Sequence, residues 1–163
     1  MSMQNSFCIF AKDESETELF AKYLAKHIKP GDVVLLSGSL GAGKTALVRT
    51  LIKTILRQPD LEVPSPTFLL VLPYQNENIS ILHADLYRLE HEEEIEELGL
   101  FDDLENIVFI EWPQRVPWLM QRADMIISLQ FGVDDTGRRI EISVADKSRS
   151  FSGMGQTIPK EQG

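Results

Sequence analysis

Gly38-Ser39-Leu40-Gly41-Ala42-Gly43-Lys44-Thr45 carries every fixed position of the phosphate-binding pattern G-x-x-x-x-G-K-[ST]. The residue types explain the chemistry. Glycines let successive backbone N–H groups curl around phosphate oxygens, where a Cβ would obstruct the approach. The Lys44 ammonium suits the outer phosphates, and the Thr45 hydroxyl suits a magnesium ion. Ala46 continues into the helix that such a loop opens, whose positive end also faces the phosphates.

A phosphate loop grips but does not by itself cleave. Hydrolysis also needs a carboxylate that organises the metal and a group that orients the attacking water. Glu111 closes the apolar run Ile107-Val108-Phe109-Ile110, where a metal-organising acid sits if this strand lies beside the phosphate-loop strand. A strand-end glutamate facing solvent is the plain alternative. Asp85 ends a second apolar segment and precedes Tyr87 and Arg88; a turn aspartate paired with that arginine is the plain alternative. Thr67 lies in Val63-Pro64-Ser65-Pro66-Thr67, a stretch the prolines stiffen and bar from a central strand. Its hydroxyl can approach a terminal phosphate as a switch segment does, or the loop can have no catalytic part. His27, His83, His91 and Cys8 show no metal-ligand spacing, which argues against a structural zinc site.

The elements that must place these residues are legible from periodicity. Val33-Val34-Leu35-Leu36 follows Pro30-Gly31-Asp32 and predicts a buried strand leading into the loop. After the loop, Ala46, Leu47, Val48, Leu51, Ile52 and Ile55 recur at helical spacing, and the helix ends near Gln58-Pro59-Asp60. Upstream, a strand over 7–11 precedes a helix over 16–28 with an apolar stripe of Leu19, Phe20, Tyr23, Leu24, Ala25 and Ile28; Ser15 and Glu18 match a capping box. Strands over 68–74 and 79–83 flank the turn Gln75-Asn76-Glu77-Asn78, so they form an antiparallel hairpin and the sheet is mixed.

The acidic stretch 90–98 predicts a short helix ended by Gly99, its glutamates forming a solvated face or a partner-docking surface. Val116, Leu119 and Met120 suggest another short helix, and strands over 125–131 and 138–145 surround Asp134-Asp135-Thr136-Gly137. The sum is an α/β domain over 1–147: a three-layer P-loop NTPase fold with a mixed, mainly parallel central sheet and antiparallel hairpins. A loose polar tail is expected over 148–163.

The 163 residues suit one domain, and 25 acidic against 16 basic residues give a net charge of −9. Such a chain repels a nucleic-acid backbone, so direct tRNA or other nucleic-acid binding by this chain alone is not expected. Cys8 has no cysteine partner within the chain. No apolar run approaches membrane-spanning length and no basic leader precedes one, so a cytoplasmic location is the default expectation.

Taken in order, the Gly38-to-Thr45 loop, Ser65-Pro66-Thr67-Phe68, His83-Ala84-Asp85-Leu86-Tyr87-Arg88 and Glu111-Trp112 resemble the TsaE family of small P-loop ATPases of bacterial tRNA threonylcarbamoyladenosine biosynthesis. The resemblance covers the chain to about Ala145. It implies that residues of the loop hold the phosphates of ATP, with ADP as product, and that Thr45 and Glu111 hold Mg2+. It further implies that 65–68 act as switch I, that Asp85 orients water or acts as base, and that Tyr87 and Trp112 border the nucleotide. Glu14 and Arg138 are nominated only because the family's first strand-helix junction and last hairpin approach the nucleotide. The implied partners are TsaB and TsaD, with tRNA reached only through that complex.

Other classes remain open at this point. A small-molecule kinase uses the same loop but needs an acceptor pocket and basic groups that close over ATP, for which Arg138-Arg139 is the nearest pair. A GTPase lacks support because no Asn-Lys-x-Asp segment is present. A nucleotide-gated adaptor, in which hydrolysis is incidental, shares every motif with an ATPase.

Overall fold

The computed structural model describes residues 5–145; the tail expected from residue 148 lies outside the described residues. The strands are β1 Asn5–Ala11, β2 Val33–Gly38, β3 Val71–Gln75, β4 Ser80–Asp85, β5 Ile107–Glu111, β6 Met125–Phe131 and β7 Arg138–Val144. The α-helices are α1 Glu14–Ala25 and α2 Lys44–Leu56. Short 3₁₀ segments span Glu92–Leu98, Pro113–Arg115, Pro117–Gln121 and Val133–Asp135.

The strands form one sheet in the order β1-β7-β6-β2-β5-β4-β3. Its centre is parallel, β2 pairing with β5 and β6 and β4 pairing with β5. Antiparallel pairs β3–β4, β6–β7 and β1–β7 complete both sides, as the two predicted hairpins require. β2 is apolar at every position from Val33 to Leu36 because both its faces are covered. Val34 and Leu36 pack with Phe20, Leu24, Leu47 and Leu51 beneath α1 and α2. Val33 and Leu35 pack with Leu86, Ile95, Leu100 and Val116 on the opposite side. Three layers result, the third made of 3₁₀ turns.

Register decides where the functional residues meet. Leu36 pairs with Glu111 and Glu111 pairs with Asp85, so the ends of β2, β5 and β4 share one edge of the sheet. The β2–α2 loop leaves from that edge, the carboxyl end where ligands of open α/β sheets bind.

Several local expectations are corrected. Helix α1 starts at Glu14 and stops at Ala25. Asp13, not Ser15, is its N-cap: Asp13 Oδ1 accepts from the Glu16 amide at 3.0 Å. Glu18 pairs with Lys22 at 2.8 Å instead of closing a box. The helix falls short of Ile28 because Pro30 disfavours helical geometry at Lys29, whose amide bonds Asp32 Oδ2. Leu19 and Met120 are each 46% exposed and so lie off the expected apolar faces. The strand expected from residue 68 begins at Val71, since the amides of Leu69 and Leu70 both bond Pro66 O in a tight turn. Pro73 is tolerated in β3 because β3 is an edge strand.

Candidate functional site

Two cavities flank the phosphate loop, and Gly41, Gly43 and Ala46 line both, so the loop is their common wall. The inner one, about 230 Å³, is bounded by Lys44, Thr45, Thr67, Asp85, Glu111 and Trp112. The outer groove, about 1010 Å³, runs between α1 and α2 and takes in Glu14, Ala42, Lys53 and Arg138. Its size is in the range of small-molecule sites. Ser39 and Leu40 are exposed at the tip of the loop, and Leu40 reaches the inner rim.

The loop has the shape its glycines predict. Gly41 and Gly43 take φ values of 79° and 104°, which side-chain-bearing residues rarely adopt, and a Cβ on Gly41 would meet nothing within 4 Å. The loop leads into the start of α2, where backbone N–H groups and the positive end of the helix favour an anion. Arg138 braces the loop from the outer side, donating from Nε to Ala42 O at 2.8 Å while its guanidinium lies over the Phe131 ring.

Lys44 folds back along the loop. Its Nζ donates to Gly38 O at 2.6 Å and Ser39 O at 3.0 Å and sits 4.2 Å from the centre of the Trp112 ring. Burial pushes the ammonium below the ordinary lysine value, and the negative charges of Glu111 and then Asp85 act in the opposite direction. Trp112 is held at φ 58°, ψ 48°, an uncommon conformation made more so by the proline that follows. Such backbone costs about 1–3 kcal/mol and concentrates at functional sites. Here it turns the indole against Lys44 and against Tyr87, whose ring centre is 4.9 Å away.

The two carboxylates lie side by side. Thr45 Oγ1 donates to Glu111, 2.8 Å from Oε1 and 3.1 Å from Oε2, joining the start of α2 to the end of β5. Asp85 accepts from Thr67 Oγ1 at 2.9 Å and from the Tyr87 amide at 2.9 Å. Ser65 Oγ lies 2.7 Å from Thr67 Oγ1, so the proline loop is tied to the end of β4 by hydroxyls. Arg88 is not paired with Asp85 as the alternative reading had it; its guanidinium stacks over Phe68, 4.4 Å from the ring centre.

The residues fit a magnesium nucleotide. Magnesium takes oxygen ligands, typically one or two carboxylates with substrate phosphates and water, and the Thr45 hydroxyl with the Glu111 carboxylate is such a set. Among the described residues no group of three or more His, Cys, Asp or Glu is arranged to hold a metal, so the protein donors are few. The same chemistry expects phosphates and water to complete the shell.

The structure thus gathers Lys44, Thr45, Thr67, Asp85, Glu111 and Trp112 around one cavity with Tyr87 at its edge. It sets Glu14 and Arg138 on the far side of the loop. One residue escaped sequence reasoning. His83 is fully buried in β4, its Nε2 2.6 Å from Glu111 Oε2. A usable signal existed: two-residue alternation places His83 and Asp85 on one face of a strand.

Among the described residues no helix is long and apolar enough to cross a membrane. A family model described as "Threonylcarbamoyl adenosine biosynthesis protein TsaE" matches residues 11–140. The tRNA threonylcarbamoyladenosine biosynthesis protein TsaE of Rickettsia felis is 38% identical over 143 residues, 87% of this chain and 82% of the relative. The protein of that name from Haemophilus influenzae is 37% identical over 126 residues, 76% of this chain and 77% of its own. The crystal structure of Bacillus subtilis YdiB superposes with a TM-score of 0.61 at 25% identity, covering 90% of each chain. With its phosphate loop, its mixed sheet and these relatives, the chain belongs to the TsaE family of tRNA threonylcarbamoyladenosine biosynthesis.

Proposed function

We propose that this chain is a magnesium-dependent ATPase that acts in the cytoplasm on a complex of TsaB and TsaD. Its turnover drives their cycle of tRNA threonylcarbamoylation without touching the group transfer. The observation that carries the reading is the 2.8 Å bond between Thr45 Oγ1 and Glu111, which joins the two oxygen donors a phosphate-bound magnesium requires.

In this reading the amides of 41–46 cradle the phosphates, with Ser39 and Leu40 at the lip. Lys44 exchanges its two carbonyl partners for phosphate oxygens. Magnesium, when bound between Thr45 and Glu111, supplies neutralising charge to the phosphates. Asp85 accepts a hydrogen bond from the attacking water, and Thr67 holds Asp85 and the proline loop in one arrangement. Trp112 walls the inner cavity with Tyr87 packed against it, while Glu14 and Arg138 face the nucleoside from the outer groove.

Dependence on partners follows from charge. Among the described residues that line the inner cavity Lys44 is the one cation, beside two carboxylates. A transition-state arginine contributes roughly 10³ to 10⁵ in rate when a partner supplies it, so the isolated chain is expected to be slow. Leu40, Phe68 and Leu69 are exposed on the two loops that border this cavity, which suits contact with another protein there. The decisive experiment is ATP consumption by the chain alone and with TsaB, TsaD and tRNA. Stimulation by the complex is expected; an equal rate without it contradicts the reading.

The Thr67–Asp85 tether favours one second reading, a nucleotide-gated adaptor whose loop orders on binding. A threonylcarbamoylation assay separates them. An Asp85→Ala protein that still binds ATP supports modification if it is an adaptor and fails if it must cycle.

A further inference from the structure

His83 raises a question that packing does not answer. It lies in the middle of a buried strand, among apolar neighbours, with no exposed surface. An imidazole in such a place is costly unless its nitrogens are bonded. Nε2 is satisfied at 2.6 Å from Glu111 Oε2, but Nδ1 is buried without a hydrogen-bond partner among the described residues. A leucine or valine at this position in β4 would leave no orphan nitrogen behind. The imidazole is therefore kept for what it does to Glu111.

The contacts show what that is. A carboxylate only accepts, so the proton of the shared bond belongs to His83 Nε2. Glu111 is 1% exposed, and its carboxylate is the middle of a chain of three groups: imidazole, carboxylate, then the hydroxyl of Thr45. We propose that His83 is the positioning residue of the metal site, anchoring Oε2 from behind so that Oε1 and the Thr45 hydroxyl are presented together to magnesium. His83 is not itself a ligand, since it is walled off from both cavities and magnesium prefers oxygen. The inference rests on the reading of Glu111 as the magnesium carboxylate, and the test separates the two.

The test is calorimetric titration of the full chain with the non-hydrolysable ATP analogue AMPPNP, once in EDTA and once in excess Mg2+. The ratio of the two affinities is the metal gain. His83→Ala is expected to lower the gain by about 10–100-fold, the usual effect of removing a group that orients a metal ligand, with the metal-free affinity unchanged. His83→Gln places an amide nitrogen where Nε2 was and is expected to restore most of the gain; His83→Asn reaches only as far as Nδ1 and is not. If the alanine variant does not fold, the glutamine and asparagine pair makes the same comparison. A full gain in His83→Ala overturns the proposal, as does an equal loss with and without metal, or a glutamine variant no better than asparagine. Glu111→Ala is the control. If it keeps the gain, the metal reading of Glu111 falls and the inference with it; if it loses the gain while His83→Ala keeps it, only the inference falls.

Discussion

Asp85 and Glu111 end adjacent parallel strands in register, both nearly buried at 4% and 1% exposure, yet the structure holds them in opposite ways. Glu111 is fixed by groups from regular elements, Thr45 in the first turn of α2 and His83 inside β4. Asp85 is tied to Thr67, which belongs to an irregular loop, and to the amide of Tyr87 just past its own strand. A carboxylate held by a helix and a strand cannot move without the core moving. One held by a loop hydroxyl changes partner whenever the loop does. The difference fits the proposed division of labour, in which Glu111 has the static task of holding a cation and Asp85 the conditional one of orienting water when the loop is in place.

The sharpest way to break this division is to remove each carboxylate in turn. Asp85→Ala is expected to lower partner-stimulated turnover by roughly 10² to 10⁴, the range for a positioned acid-base group, while nucleotide affinity in Mg2+ persists. Glu111→Ala is expected to weaken binding only when Mg2+ is present. Steady-state turnover and paired titrations measure both, and matching profiles would erase the distinction.

Thr67→Val probes the conditional side alone. It deletes the hydrogen bond to the Asp85 carboxylate, worth about 1.5–3 kcal/mol, together with the hydroxyl contact to Ser65, and should speed amide exchange across 65–70 in the nucleotide-free protein. The Mg2+ dependence of binding should not change, because Thr67 does not touch Glu111 in this structure.

The smallest effect is electrostatic. Lys44 titrates below the ordinary lysine value chiefly through burial, while Glu111 first and Asp85 second favour its charged form. Deleting a nearby negative charge lowers the value further, so the ammonium is lost at a lower pH as pH rises. Carbon-13 NMR of the Lys44 Cε in nucleotide-free protein should show Glu111→Gln shifting the titration further down than Asp85→Asn. The reverse order would mean that Asp85 is the closer charge to Lys44.

What the sequence made legible follows the same division. The β2-loop-α2 unit was plain because its glycines, its apolar run and its helical stripe each encode local geometry. The meeting of Glu111 and Asp85 at one sheet edge was legible because each closes an apolar run, and parallel register brings such strand ends together. What was missed depends on contacts distant in sequence or on competition between neighbours. The His83–Glu111 bond spans 28 residues; alternation along β4 puts His83 on the face of Asp85, but only the pairing with β5 shows that it meets Glu111. Asp13 displaced Ser15 as the cap of α1, two acceptable cap residues separated by two positions. Phe68 resembles the start of a strand by composition, but the turn at Pro66 leaves it 81% exposed and stacked under Arg88.

Beneath both carboxylates lies the claim that the loop from Gly38 to Thr45 holds a nucleotide by its phosphates through Lys44. Titrating ATP in Mg2+ into wild-type protein and into Lys44→Ala tests it directly. Saturable one-site binding that weakens roughly 10- to 150-fold on losing the charged hydrogen bonds is the expected result. Equal affinity in the two proteins would contradict it.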